Sequence, residues 1–179
     1  MPELKIMNMD QRHRALTPPI AGSLLEAASV CLSRHHASPT VLTIVNDGVA
    51  SAADIHWPLP DARIRDAWAN AIDTTEDGAC ACVIAGVEEL RRLSAVRRAE
   101  TGTGADYFVG PTGSGLEDLE DLIRLEVSGV DRGDEGLVAR RLRQKVAQAR
   151  AGQSDLPAIA GVIGFESRTL ILESVQDEP

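Results

Sequence analysis

The chain has 179 residues, 44% hydrophobic and 25% charged, so it is long enough to bury a core and has the composition of a globular protein. Aromatic residues make up only 3%, which leaves the core to Leu, Val, Ile and Ala and excludes a platform of rings that stacks single-stranded bases. A formal net charge of −9 argues against a protein that grips nucleic acid over a wide surface by itself, because phosphate contacts dominate such affinity, and it favours a protein partner that brings the nucleic acid.

In chain order, Met1 to Pro19 is polar and reads as a flexible arm ended by Pro18-Pro19, without the apolar stretch of a secretory signal. No run of about 18 apolar residues is present for a membrane span, so a cytoplasmic protein with no membrane partner is expected. Ala21 to His36 reads as a helix with Leu24, Leu25, Ala28, Cys31 and Leu32 on one side. His35-His36 falls at its C-terminal end, where the helix dipole favours imidazolium. Thr40 to Val45 is a strand, and Val49 to Trp57 is its partner through the hairpin turn Asn46-Asp47-Gly48. Pro58 and Pro60 precede a helix from Asp61 to about Ile72. Residues 20–72 are thus an N-terminal α/β addition within a single domain over residues 20–175. Glu76 to Leu93 is an amphipathic helix in which Cys80, Val83, Val87 and Leu90 share a face and Glu76 joins the first turn. Cys31, Cys80 and Cys82 are an odd set with no zinc-knuckle spacing, and are expected as small buried hydrophobes in a reducing compartment.

A short strand follows near Ala95 to Ala99. Gly102 to Gly110 brackets an aromatic and β-branched run that favours a strand, with Asp106 near its start. Pro111 to Asp121 is a hairpin loop rich in Gly, Thr, Ser and acids. It ends without the GKS or GKT of a phosphate-binding loop. Leu122 to Gly129 alternates, with Ile123, Leu125 and Val127 on one face and Leu122, Arg124, Glu126 and Ser128 on the other, as an antiparallel neighbour of the strand before it. Asp134 and Glu135 open a helix with Leu137, Val138, Leu142, Val146 and Ala149 at helical spacing, ended by Gly152. Leu156 to Phe165 is a buried strand parallel to an earlier one, Thr169 to Glu173 is a last strand, and Gln176 to Pro179 is an acidic fray.

From residue 76 to 165 the order is helix, strand, strand, strand, helix, strand, with an acid in the second strand and an acid-x-residue triplet in the third. This resembles the core of the restriction-endonuclease-like superfamily, PD-(D/E)XK, and implies an α/β fold whose mixed central sheet is flanked by helices. The resemblance implies a nuclease in which Asp106 and Glu126, with the backbone carbonyl of Val127, hold Mg²⁺ or Mn²⁺. The family's lysine, two residues after the glutamate, positions or activates the attacking water. Here that position is Ser128, which carries no positive charge. Members of the superfamily also supply the lysine from the following helix, which makes Lys145 in Arg140-Arg141-Leu142-Arg143-Gln144-Lys145 the candidate, at the flank of the apolar face and long enough to snorkel toward the strand ends. Gln144, a glutamine on that helix, and Glu76, a carboxylate from the first helix, match further recurring elements of such sites. The segments around Asp106 and Glu126 are also similar to pairs that occur together in uncharacterised bacterial proteins, which implies no activity.

Competing assignments stand beside these. Asp106 is suited to capping the turn after its glycine-rich run, Glu126 to pairing with Arg124 or Arg143, and the basic run 140–145 to a solvated helix face. A chain lacking the lysine also fits a catalytically silent nuclease-fold scaffold in a bacterial defence or DNA-processing assembly. Glu117-Asp118-Leu119-Glu120-Asp121 fits an acidic surface that mimics nucleic acid.

Overall fold

The computed structural model describes residues 1–113, 121–152 and 154–175. They form a mixed α+β domain around one eight-stranded sheet, its strands β1 (Glu3–Leu4), β2 (Thr40–Asn46), β3 (Val49–Ile55), β4 (Leu93–Arg98), β5 (Tyr107–Pro111), β6 (Ile123–Val130), β7 (Ala158–Gly164) and β8 (Thr169–Val175). Across the sheet the order is β1-β3-β2-β8-β7-β6-β5-β4. The helices are α1 (Pro18–His35), α2 (Ala62–Ala67), α3 (Ala71–Arg91) and α4 (Glu135–Ala151). Among the described residues no helix is long and apolar enough to cross a membrane.

The N-terminal addition is part of the same sheet. β2 and β3 pair antiparallel across Asp47-Gly48, both at positive φ (46° and 79°) as a two-residue hairpin requires, and β2 runs parallel to β8. In the second half, β4–β5 and β5–β6 are antiparallel, and α4 carries the chain across to β7, which lies parallel to β6. The two faces of β6 are both covered. Leu125 and Val127 belong to the main core under α3, and Gly129 abuts Thr75 and Ala79 of α3. Val130 joins a smaller cluster with Val138, Leu142 and Val146 of α4.

Four expectations are corrected. The segment 1–19 is not an arm: Leu4, Ile6, Met9 and Leu16 are buried and β1 pairs with β3. Arg12 ties the segment down by donating to the carbonyls of Lys5, Met7 and Asn8 and to Glu88. Pro18 is the first residue of α1, where a missing N–H costs nothing. The helix from Asp61 stops at Ala67, and α3 starts at Ala71 because the Asn70 side chain accepts from the N–H groups of Ile72 and Asp73. Glu76 therefore sits beyond the first turn. Nor is α3 amphipathic, since every residue from Gly78 to Val87 is buried between the sheet and α1. All three cysteines are buried and free, and burial pushes the Cys31 and Cys80 thiols up to about 12. The acidic run 117–120, most of the loop after β5 and the expected C-terminal fray lie outside the described residues.

His13 shows why the N-terminal segment stays in place. It is fully buried; its Nδ1 accepts from Ala95 N–H at 3.0 Å, so the ring is neutral and its Nε2 donates to Glu88 at 3.1 Å. Burial holds its pKa below 6.5 against the opposing pull of Glu88. The unfolded chain takes up a proton near pH 6.5 and the folded chain only at lower pH, so this contribution to stability is complete above pH 6.5 and is lost as pH falls below it. Urea unfolding at pH 7.5 and 5.5 is expected to show a loss for the wild type. His13→Asn keeps an acceptor for Ala95 but does not titrate, and should show a smaller loss.

Candidate metal and phosphodiester site

Three side chains of β6 on the α4 face meet that helix in regular steps. Arg124, buried, donates to the carbonyls of Ala149 (2.8 Å) and Leu156 (3.0 Å) and so closes the C-terminal turn of α4. Glu126, only 7% exposed, accepts from Lys145 Nζ at 2.8 Å. Ser128 Oγ lies 3.4 Å from Arg141 Nη1. Two strand residues advance ~6.6 Å and four helical residues ~6.0 Å. Stepping 124, 126, 128 along the strand therefore matches 149, 145, 141 back along the helix. This match brings Lys145 to Glu126 in the middle of β6, and it takes Arg124 away from Glu126.

Asp106 lies just before β5. Its N–H donates to Leu125 O at 2.8 Å and its Oδ2 accepts from Val127 N–H at 2.7 Å, so the carboxylate continues the ladder where the strand pairing stops. It caps β6 rather than the glycine-rich turn. The N–H and C=O of one strand residue face the same neighbour, so the Val127 carbonyl faces the gap that Asp106 occupies. Arg98, at the end of β4, stacks on the Tyr107 ring with its guanidinium carbon 4.7 Å from the centroid and reaches within 4.0 Å of Asp106 Oδ1.

Two cavities open here, and Asp106 and Arg98 line both. The first, of about 560 Å³, is also lined by Glu76, Asp77, Val127, Ser128, Arg141 and Lys145. The second, of about 430 Å³, is lined by Glu126, Gln148 and the loop 99–105. Asp106 thus touches Val127 and lines both cavities, Glu126 touches Lys145 and lines the second, Val127 and Lys145 line the first, and Glu76 stands exposed on the wall of the first. Gln144 is not brought in. It is exposed and lines neither cavity, being turned about 100° from Lys145. The face of α4 that meets the site is Arg141, Lys145 and Gln148, at steps of four and three, and that spacing would have pointed to Gln148. Two further members were missed: Arg98, and Asp77, whose carboxyl burial pushes above the usual range although Arg98 opposes it.

The donor types suit a hard divalent ion: one carboxylate just before β5, one in β6 and one strand carbonyl, with one oxygen of each carboxylate making no hydrogen bond among the described residues. Among those residues no group of three or more His, Cys, Asp or Glu side chains converges, so further ligands here would be water or phosphate oxygens. His35-His36 is engaged elsewhere, in contacts to Asp131 (3.1 Å) and the Phe165 carbonyl (2.8 Å). Comparison with protein-family models, curated proteins and solved structures finds no match to this chain.

Proposed function

We propose that this chain is a divergent restriction-endonuclease-like protein, a Mg²⁺- or Mn²⁺-dependent hydrolase of nucleic-acid phosphodiesters. The observation that carries the reading is the 2.8 Å contact between Lys145 Nζ and Glu126 Oε1, which returns from α4 the positive charge that Ser128 lacks. The succession α3, β4, β5, β6, α4, β7, with two antiparallel pairings and then a parallel one, supports the same assignment.

Asp106, Glu126 and the Val127 carbonyl would hold the ion, which when bound supplies Lewis-acid polarisation of a phosphoryl oxygen. The chain's own groups do the rest. Lys145 fixes the Glu126 carboxylate and places a cation where charge grows on the phosphorus oxygens. Val127 N–H orients Asp106 through Oδ2 and leaves Oδ1 toward the cavities. Arg98, braced on Tyr107, offers donors beside that oxygen. A net charge of −9 limits wide phosphate contact, so a partner protein that delivers the nucleic acid belongs to the proposal.

A catalytically silent scaffold is the second reading. It is favoured by the same ion pair: Glu126 is already neutralised by Lys145, and Asp106 is engaged by Val127 N–H. Isothermal titration separates the two. Mn²⁺ should bind the wild type in the micromolar to millimolar range, with binding lost in Asp106→Asn/Glu126→Gln. Equal heats in both proteins would favour the scaffold.

A further inference from the structure

The first cavity is more than the approach to Asp106. Its lining includes unfilled donors: Arg141 is exposed, and its one hydrogen bond among the described residues is the long 3.4 Å contact to Ser128 Oγ, which leaves most of its guanidinium N–H groups directed at no acceptor. The nearby acid Asp131 is already paired with Arg34 (3.3 Å) and His35 (3.1 Å), so it does not neutralise Arg141. Apolar groups line the same cavity: Ala71 and Ile72 from the first turn of α3, with Ile72 71% exposed, and Leu137 from the first turn of α4, one turn before Arg141 on the same helix face. A large aliphatic side chain this exposed, on a cavity that also carries a guanidinium with unfilled donors, has no role in the core.

A volume of about 560 Å³ falls in the range of ~300–1,000 Å³ that small-molecule sites occupy. An anion-binding fork suits a phosphate, and the apolar lining beside it suits the face of a base, which sites for extruded bases cover with apolar side chains. We infer that the first cavity is a subsite for a single nucleotide unit, its phosphate held by Arg141 and Ser128 and its base laid against Ile72 and Leu137. The inference rests on the hydrolase reading for its meaning, since it makes the substrate a strand end or unpaired strand presented one nucleotide at a time, not an intact duplex. The ligand chemistry is that of a nucleoside monophosphate, whether free or at a strand terminus.

The test is titration of the full chain, in metal-free buffer, with the common ribo- and deoxyribonucleoside 5′-monophosphates, the corresponding nucleosides, inorganic phosphate and a 5′-phosphorylated oligonucleotide. At least one monophosphate should bind more tightly than inorganic phosphate or its nucleoside. Arg141→Ala should weaken it about tenfold, the loss of one charge-assisted contact. Ile72→Ser should weaken the nucleotide several-fold and leave phosphate unchanged. Both positions are exposed, so both variants should fold. Tighter binding of the oligonucleotide assigns the site to a strand end, and tighter binding of the monophosphate to a free nucleotide. No nucleotide binding at millimolar concentration, binding no tighter than phosphate, or indifference to both substitutions overturns the inference. Cleavage by the same preparation separates it from the hydrolase reading: metal-dependent cleavage of duplex without nucleotide binding removes the subsite and keeps the hydrolase, whereas nucleotide binding without cleavage does the reverse.

Discussion

Lys145→Met is expected to destabilise the fold by about 2–4 kcal/mol, because removing one partner of a largely buried ion pair leaves the other charge uncompensated. The Glu126 side chain is 9% exposed and that of Lys145 19%, so the pair lies far from the surface regime, where such contacts contribute only ~0–1 kcal/mol. The midpoint of thermal unfolding should fall by roughly 5–15 °C for a chain of this length. Lys145→Met/Glu126→Met removes both charges and should recover at least half of the loss, since a buried pair replaced by apolar residues is often neutral. An unchanged midpoint for Lys145→Met would mean that Lys145 spends its time in solvent, and the positive charge at the site would disappear with it.

Gly129→Ala is expected to cost about 1–3 kcal/mol, in the range of overpacking in a dense core. A Cβ at this position would stand 2.8 Å from the Thr75 carbonyl oxygen, 2.9 Å from Thr75 Cγ2 and 3.0 Å from the Ala79 Cβ. The nearest of these is backbone of α3, which cannot step aside as a side-chain tip can. Gly129, Thr75 and Ser128 all line the first cavity, so separating α3 from β6 should also disturb it. Denaturant unfolding with an unchanged slope and a lower midpoint is the expected signature. At Gly22, whose added Cβ meets nothing within 4 Å, the same substitution should cost no stability by steric contact.

The elements from α3 to β7 were legible because their signals are local: glycines around Tyr107 to Gly110, alternation from Ile123 to Val127, and helical spacing from Leu137 to Ala149. The antiparallel pairing of β5 with β6 followed from the loop between them, and the apolar run after α4 placed β7 parallel to an earlier strand, which the structure identifies as β6. What composition concealed was burial set by tertiary contact. The N-terminal segment looked polar on average, yet Leu4, Ile6 and Met9 supply an apolar stripe, and buried His13 is accommodated by one backbone donor and Glu88. The cap at Asn70 has no glycine or proline beside it, so the true start of α3 was hidden and Glu76 was given a first-turn position it does not hold. At the site, Asp106, Glu126 and Lys145 were visible as residue types at a family-like spacing. Arg98 and Gln148 were not, because a β-bulge between Ala95 and Arg97 and the face of α4 decide where those side chains go.

Direct assay of cleavage bears most closely on the proposed chemistry. End-labelled single-stranded and duplex DNA and RNA, incubated with the wild type and millimolar Mg²⁺ or Mn²⁺, should give products that EDTA abolishes, and Asp106→Asn should lower the rate by at least about a hundredfold, as loss of a group that acts in the transition state does. Products that form equally with Asp106→Asn, or no metal-dependent product from any of the four substrates, would contradict the hydrolase account and leave the paired Glu126–Lys145 as part of a scaffold.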